Sequence, residues 1–350
     1  MNIARQPLWL VIIQLLLLLA LFWVRFAAYP LPGEESLPAF PGVEPGAASV
    51  WGAGSGLMPG DWVNHWASKF PPAAAVIGLL LVVAIAVSIM RGIGHNLIFS
   101  VRTHLPMLFY AATACGIVMG AADTAGMAGA LLVAAACRDI VSLSISKNME
   151  LGLSFRYGFL LGLAALLAPA TLFCLLLIPL TTLFMMRNGR ETGIALAGYF
   201  LPLLAWGYVV WGSGGDFAQP FTSIWEGSFG QGIGLPDRLA ALGMPKMIVL
   251  GILILISISA AMGFAASRGS IRTRTLRVSG LMFAFLFLSV ISLLLMSPSA
   301  SLFAVAAIPA AFVCPIFFLR FRGIYADLLY IIFIGGLIAA NLLPFTDLSI

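Results

Sequence analysis

Stretches of about 17–25 mostly apolar residues, the length a helix needs to cross the hydrocarbon of a bilayer, follow one another along almost the whole chain. Marked off by their charged flanks, they lie near 8–27, 73–90, 105–121, 124–141, 157–168 with 170–186, 192–211, 247–266, 279–296, 301–319 and 325–343. In lipid a backbone must satisfy its own hydrogen bonds, so such runs fold as helices. Only 9% of the 350 residues are charged and the mean hydropathy is +1.07, whereas a soluble domain is about 25% charged. A water-facing surface cannot be built from so few charges. The reading is an all-α polytopic transmembrane helix bundle, a single integral membrane domain over 1–350.

The pair 157–168 and 170–186 is joined by Ala168-Pro169, and proline can either kink one long helix or separate two short ones. Loop charge decides between them. With the N-terminus cytoplasmic and the pair counted as two crossings, 14 basic residues fall inside: Arg5, Arg91, Arg102, Arg138, Lys147, Arg156, Arg187, Arg190, Arg268, Arg272, Arg274, Arg277, Arg320 and Arg322. Arg25, Lys69, Arg238 and Lys246 fall outside. This split follows the positive-inside rule, and counting one crossing would put the arginines of 268–277 on the wrong side. The expectation is therefore about 11 segments, with the N-terminus cytoplasmic and the C-terminus extracytoplasmic. The net charge of +5 then expresses topology and not a nucleic-acid partner. The apolar run Leu8 to Val24 exceeds the core of a signal peptide and ends in Trp23-Val24-Arg25, which reads as an uncleaved anchor.

Two long loops, 28–72 and 212–246, fall on the outer side. The first holds eight prolines and seven glycines, too many for a packed core. One helix is expected there, after Pro59-Gly60 with Asp61 as N-cap, presenting Trp62, Val63, Trp66 and Phe70 as an apolar stripe for the membrane interface. The second opens with Gly212-Ser213-Gly214-Gly215 and places Phe217, Phe221 and Trp225 four apart, around Pro220, as a second interfacial candidate. A short helix is expected from Pro236-Asp237-Arg238 to near Gly243.

Phosphate-loop, dinucleotide, zinc-protease and serine-elbow motifs are missing from the sequence. Cys115, Cys137, Cys174 and Cys314 sit singly in apolar runs, without zinc-ligand spacing, and read as packing residues. Gly116 with Gly120, and Gly158 with Gly162, have the spacing that lets membrane helices approach closely. Asp123, Asp139, Glu191 and Asp327 fall at predicted segment ends, not at the midplane where proton-coupled transporters keep ionisable groups. Arg138-Asp139 could be an ion pair, a ligand contact or a snorkelling helix end. Candidate catalytic groups are Glu34, Glu35 and Asp61 on the outer side, each able to act as general base or to ligate a divalent metal. Arg238 and Lys246 could complement a lipid-linked phosphate.

The segment Tyr157-Gly158-Phe159-Leu160-Leu161-Gly162-Leu163-Ala164-Ala165-Leu166-Leu167-Ala168-Pro169, with Arg187 beyond it, resembles the short-helix pair of the polytopic GT-C glycosyltransferases. A second resemblance, over residues 90–215, is to an uncharacterised family of Bacteroidota-type multi-pass envelope membrane proteins. It is carried by Gly94-His95-Asn96, Arg102-Thr103-His104-Leu105-Pro106, the 157–169 segment, and Arg190-Glu191 leading to Tyr199-Phe200-Leu201-Pro202. The chain departs from the enzymes in two places. Gly33-Glu34-Glu35 stands where they carry Asp or Asp-Glu, and Ala168 replaces their lysine or polar residue before the proline. The resemblances imply cell-envelope biogenesis, with a GT-C-like scaffold or assembly subunit as the first expectation. A glycosyltransferase using a polyprenyl-phosphate sugar, with a divalent metal as its cofactor, is the alternative, and a transporter the third. Expected partners are the lipid bilayer, with a polyprenyl-linked sugar or a membrane partner protein.

Overall fold

The computed structural model describes residues 11–16, 20, 58–95, 103–116, 124–145, 149–229, 244–266, 273–296, 300–321 and 324–342. Among them every regular element is helical. In chain order these are α1 (Pro59–Lys69), α2 (Pro71–His95), α3 (Leu105–Gly116), α4 (Thr124–Leu143), α5 (Leu151–Leu167), a 3₁₀ stretch (Pro169–Leu176), α6 (Leu177–Met185), α7 (Gly189–Gly212), α8 (Gln219–Phe229), α9 (Met244–Ala266), α10 (Thr273–Leu295), α11 (Ala300–Arg320) and α12 (Ile324–Leu342). Six are long and apolar enough to cross a membrane: α2, α4, α7, α9, α10 and α11. The shorter apolar segments lie within α3, α5, the 3₁₀–α6 segment and α12. The first expected span is described only over 11–16 and at residue 20, where Val11 and Leu15 are buried and Gln14 accepts a 2.8 Å hydrogen bond from Tyr330.

Neighbour contacts fix the two ends of the bundle. At one end Gly60 of α1 abuts the Leu167 carbonyl of α5, and Trp62 meets Trp206 of α7 edge to face at 5.5 Å. At the other, Arg156 meets Asp139, Arg187 bonds the Leu143 carbonyl, and Arg277 reaches Met186. We call these the tryptophan end and the arginine end. Since Leu167 lies at the first and Met186 at the second, residues 151–185 run up and back, as their loop charges required. The returning segment is apolar over 17 residues, Pro169–Met185. Built entirely as α-helix it would reach about 25 Å. Its 8-residue 3₁₀ stretch rises by about 2.0 Å per residue and so extends the reach to about 30 Å, the thickness of the hydrocarbon.

The core is deepest around α11, which packs against α3, α4, α9, α10 and the 3₁₀ stretch. The apolar part of α11 is 72% buried, against 22% for that of α9, which therefore lies at the periphery. Pro309 and Pro315 each remove a backbone donor from α11. Phe109 stacks between Phe318 and Phe333 at 5.5 and 5.4 Å, joining α3, α11 and α12.

The closest contact joins α5 to α7. A Cβ on Gly158 would lie 2.0 Å from the Ala195 carbonyl oxygen, one on Gly162 2.2 Å from that of Tyr199, and one on Gly198 2.5 Å from that of Phe155. Residue numbers rise together along both helices, so α5 and α7 run parallel, with 3₁₀–α6 between them in sequence. The glycine pair thus performs the packing its spacing implied. Gly120 lies outside the described residues.

Candidate functional site

The residues first suspected of chemistry do not come together among the described residues. Glu34, Glu35 and Arg238 lie outside them, as does the helix expected after Pro236. Lys246, read as the end of the second loop, belongs to the first turn of α9, which begins at Met244. Asp61 is not the N-cap of its helix. Met58 holds that position, and Asp61 sits at N3 of α1, where its carboxylate accepts the Met58 N–H at 3.4 Å. Pro59 at N1 supplies a preset φ and no surplus donor, which is why the helix starts three residues earlier than Asp61 as N-cap would have set it. Burial pushes the Asp61 carboxyl above its ordinary range, and the Met58 N–H pulls it partly back.

The tryptophan stripe is largely exposed, with Trp62 also touching Trp206 of α7. Gly60 and Ala67 are buried, and Asn64 accepts the Ala125 N–H at 3.1 Å, so α1 docks on the ends of α4 and α5 through small and polar groups. Trp62, Trp66 and Phe70 are exposed on the other side, as an interfacial helix demands. In the second loop Pro220 falls in the first turn of α8, where its missing donor costs nothing, and the helix forms. Trp225 and Phe229 are exposed and pack on each other at 4.7 Å, while Ser228 is buried and donates to the Pro169 carbonyl at 2.8 Å. Both interfacial helices therefore rest on the same corner between α5 and the 3₁₀ stretch.

The polar groups that converge are at the arginine end. Asp139, 1% exposed near the end of α4, accepts two hydrogen bonds of 2.6 Å from Nε and Nη2 of Arg156 on α5. Arg138 adds a longer contact of 3.8 Å. The two-pronged fork matches a carboxylate and makes this a charge-assisted pair. Of the three readings left open for Arg138-Asp139, the ion pair is the one found, with Arg156 and not the adjacent arginine as the principal partner. Glu191 is also buried, at N3 of α7 after the N-cap Asn188, where a negative charge suits the helix dipole. Its carboxylate lies 3.5 Å from Nη1 of Arg187. The Thr182 and Thr192 hydroxyls meet at 2.6 Å and tie α6 to α7. The turn between those helices passes through Met186 at φ +52°, a left-handed cap on a residue other than glycine.

The sequence placed Asp139 and Glu191 at helix ends, offering Asp139 only its neighbour Arg138 and Glu191 no partner. Arg156 is 17 residues from Asp139, and only folding α4 and α5 as an antiparallel hairpin brings them together. Cys137, Cys174 and Cys314 are buried and free, in keeping with packing roles. Among the described residues no set of three His, Cys, Asp or Glu side chains gathers in metal-binding reach. At the entry to α3, Thr103 Oγ1 accepts the Leu105 N–H at 3.3 Å, and burial lowers the proton affinity of His104, whose Nδ1 lies 3.4 Å from the Met90 sulfur.

No known family, curated protein or solved structure matches the chain. The six long apolar helices among the described residues make it a multi-pass membrane protein.

Proposed function

We propose that the chain is an eleven-segment protein of the bacterial inner membrane, GT-C-like in layout, that serves as a scaffold or assembly subunit in cell-envelope biogenesis. One observation carries the reading. The two buried carboxylates of the helices, Asp139 and Glu191, are each paired with an arginine, and the Asp139 pair links two helices. A transported proton needs a carboxylate open to a cavity, whereas Asp139 is committed to the link between α4 and α5 and Glu191 is enclosed beside Arg187 in the α6–α7 turn. The aromatic cap at the tryptophan end offers a fixed surface at the membrane boundary.

Complementation tests the scaffold against an enzyme that uses polyprenyl-phosphate sugars. In a strain lacking the protein, the double change Glu34→Gln and Glu35→Gln is expected to restore growth and an unaltered envelope-glycan profile. A general base contributes about 10²–10⁴ in rate, so a well-folded double variant that fails to restore the glycan would establish the enzyme instead.

The orientation has its own test. Ser228 is buried and unsuited to labelling, but Thr222 on the same helix is exposed. With the native cysteines replaced, Thr222→Cys is expected to react with an impermeant maleimide from outside the cell. Ser270→Cys should react only after permeabilisation, and labelling of Ser270→Cys in intact cells would overturn the eleven-segment arrangement.

A further inference from the structure

Two arginines in the opening turns of α10 are placed where a positive charge gains least. The N-terminus of a helix carries the positive end of its dipole and favours acids, yet the first turn of α10 has no acid and contains Arg274. Arg274 donates from Nε to Ser144 Oγ at 3.1 Å, while its Nη2 is buried and meets no acceptor. A buried donor left unpaired is costly. Arg277 directs Nη2 at the Met186 sulfur, 3.4 Å away, and a thioether is a weak acceptor. Neither has an ion pair among the described residues, where Asp139 is held by Arg156 and Glu191 lies beside Arg187. Arg187 itself, fixed by the Leu143 carbonyl and Glu191, brings a third guanidinium to the same corner.

We propose that this corner, framed by the end of α4, the α6–α7 turn and the start of α10, binds a phosphate group, and that an anionic phospholipid headgroup supplies it. Phosphate offers the oxygen acceptors that the poorly satisfied, partly exposed Arg277 lacks, with the charge of Arg274 beside it, and its own charge suits the helix terminus. The lipid is the favoured source because the corner opens a 23-residue apolar helix, so it lies where headgroups meet the hydrocarbon. The proposal depends on the membrane setting and not on the scaffold reading.

The purified full chain in nanodiscs of phosphatidylcholine, with or without phosphatidylglycerol, provides the test. Phosphatidylglycerol is expected to remain bound in native mass spectrometry and to raise the melting temperature above that in phosphatidylcholine alone. Arg274→Gln with Arg277→Gln should weaken its retention about tenfold or more, and Arg91→Gln, at an exposed site on α2, should leave it unchanged. If the double variant does not fold, Arg277→Gln alone gives up only the weak sulfur contact and is expected to lower retention in the same direction. Inorganic phosphate reproducing the stabilisation in phosphatidylcholine would keep the phosphate site but overturn the lipid as its source. Equal retention by wild type and Arg277→Gln, or equal loss in Arg91→Gln, would overturn the site and leave these arginines as determinants of orientation alone.

Discussion

Replacing Gly158 by leucine is expected to abolish the native packing of the bundle. The atom that a new Cβ would meet, 2.0 Å away, is the Ala195 carbonyl oxygen, part of a helix backbone and unable to rotate aside. The two helices would have to separate along the contact that Gly162 and Gly198 continue, losing the closest approach in the described structure. Overpacking in a core costs about 1–3 kcal/mol where side chains can yield. Here the opposing group is backbone, and a loss of more than about 4 kcal/mol is expected. Gly158→Ala should already lower the melting temperature of the solubilised protein clearly. Gly152→Ala is the control, since a Cβ there has nothing within 4 Å. It should stabilise α5 by about 0.5–1 kcal/mol, as alanine does in a helix. If Gly158→Ala is as stable as Gly152→Ala, α5 and α7 do not meet as described.

The second large effect is expected at Asp139. Arg156→Met removes both 2.6 Å hydrogen bonds and leaves a carboxylate that is 2% exposed with Arg138 as its remaining counter-charge, at 3.8 Å. Breaking a buried pair typically costs about 3–5 kcal/mol. The Arg156 side chain is 56% exposed and Arg138 remains, so the lower end, about 3 kcal/mol, applies. Adding Asp139→Leu should recover most of the loss, because the uncompensated charge disappears and an apolar side chain fills its place. A double-mutant cycle by chemical or thermal unfolding measures the coupling. A cycle in which the two losses simply add would show that the pair does not bind α4 to α5.

Hydropathy and loop charge carried the architecture a long way. The segment boundaries near 124–141, 192–211 and 301–319 agree with α4, α7 and α11 to within a few residues, because lipid exposure demands continuous apolar runs that a single pass along the sequence detects. That 151–185 runs up the bundle and back was legible from Arg187 and the arginines of 268–277, since charge sidedness is a property of the whole chain. The 3₁₀ stretch was not legible, because its 2.0 Å rise leaves no mark in composition. The starts of α1 and α9 were missed by three residues. Pro59 and Met244-Pro245 begin helices before their apolar faces do. The polar cluster was half visible. Asp139 and Arg138 are adjacent, but Arg156 is brought to them only by the hairpin, and Arg274 by a fold that spans 130 residues to Ser144.

The parallel contact between α5 and α7 also sets an order of events during synthesis. When α5 leaves the ribosome its glycine face has no partner, because the helix it fits is still about forty residues away. At ~5–20 residues per second that interval lasts a few seconds. During it α5 is held by what has already been made. Asp139 on α4 is available from the start to Arg156, and Gly129 lets α4 lie close to Ala164 and Ala168. The half-buried ion pair needs only α4 and α5, so it is complete before α7 exists and fits a half-finished helix to its hairpin partner until α7 closes the interface.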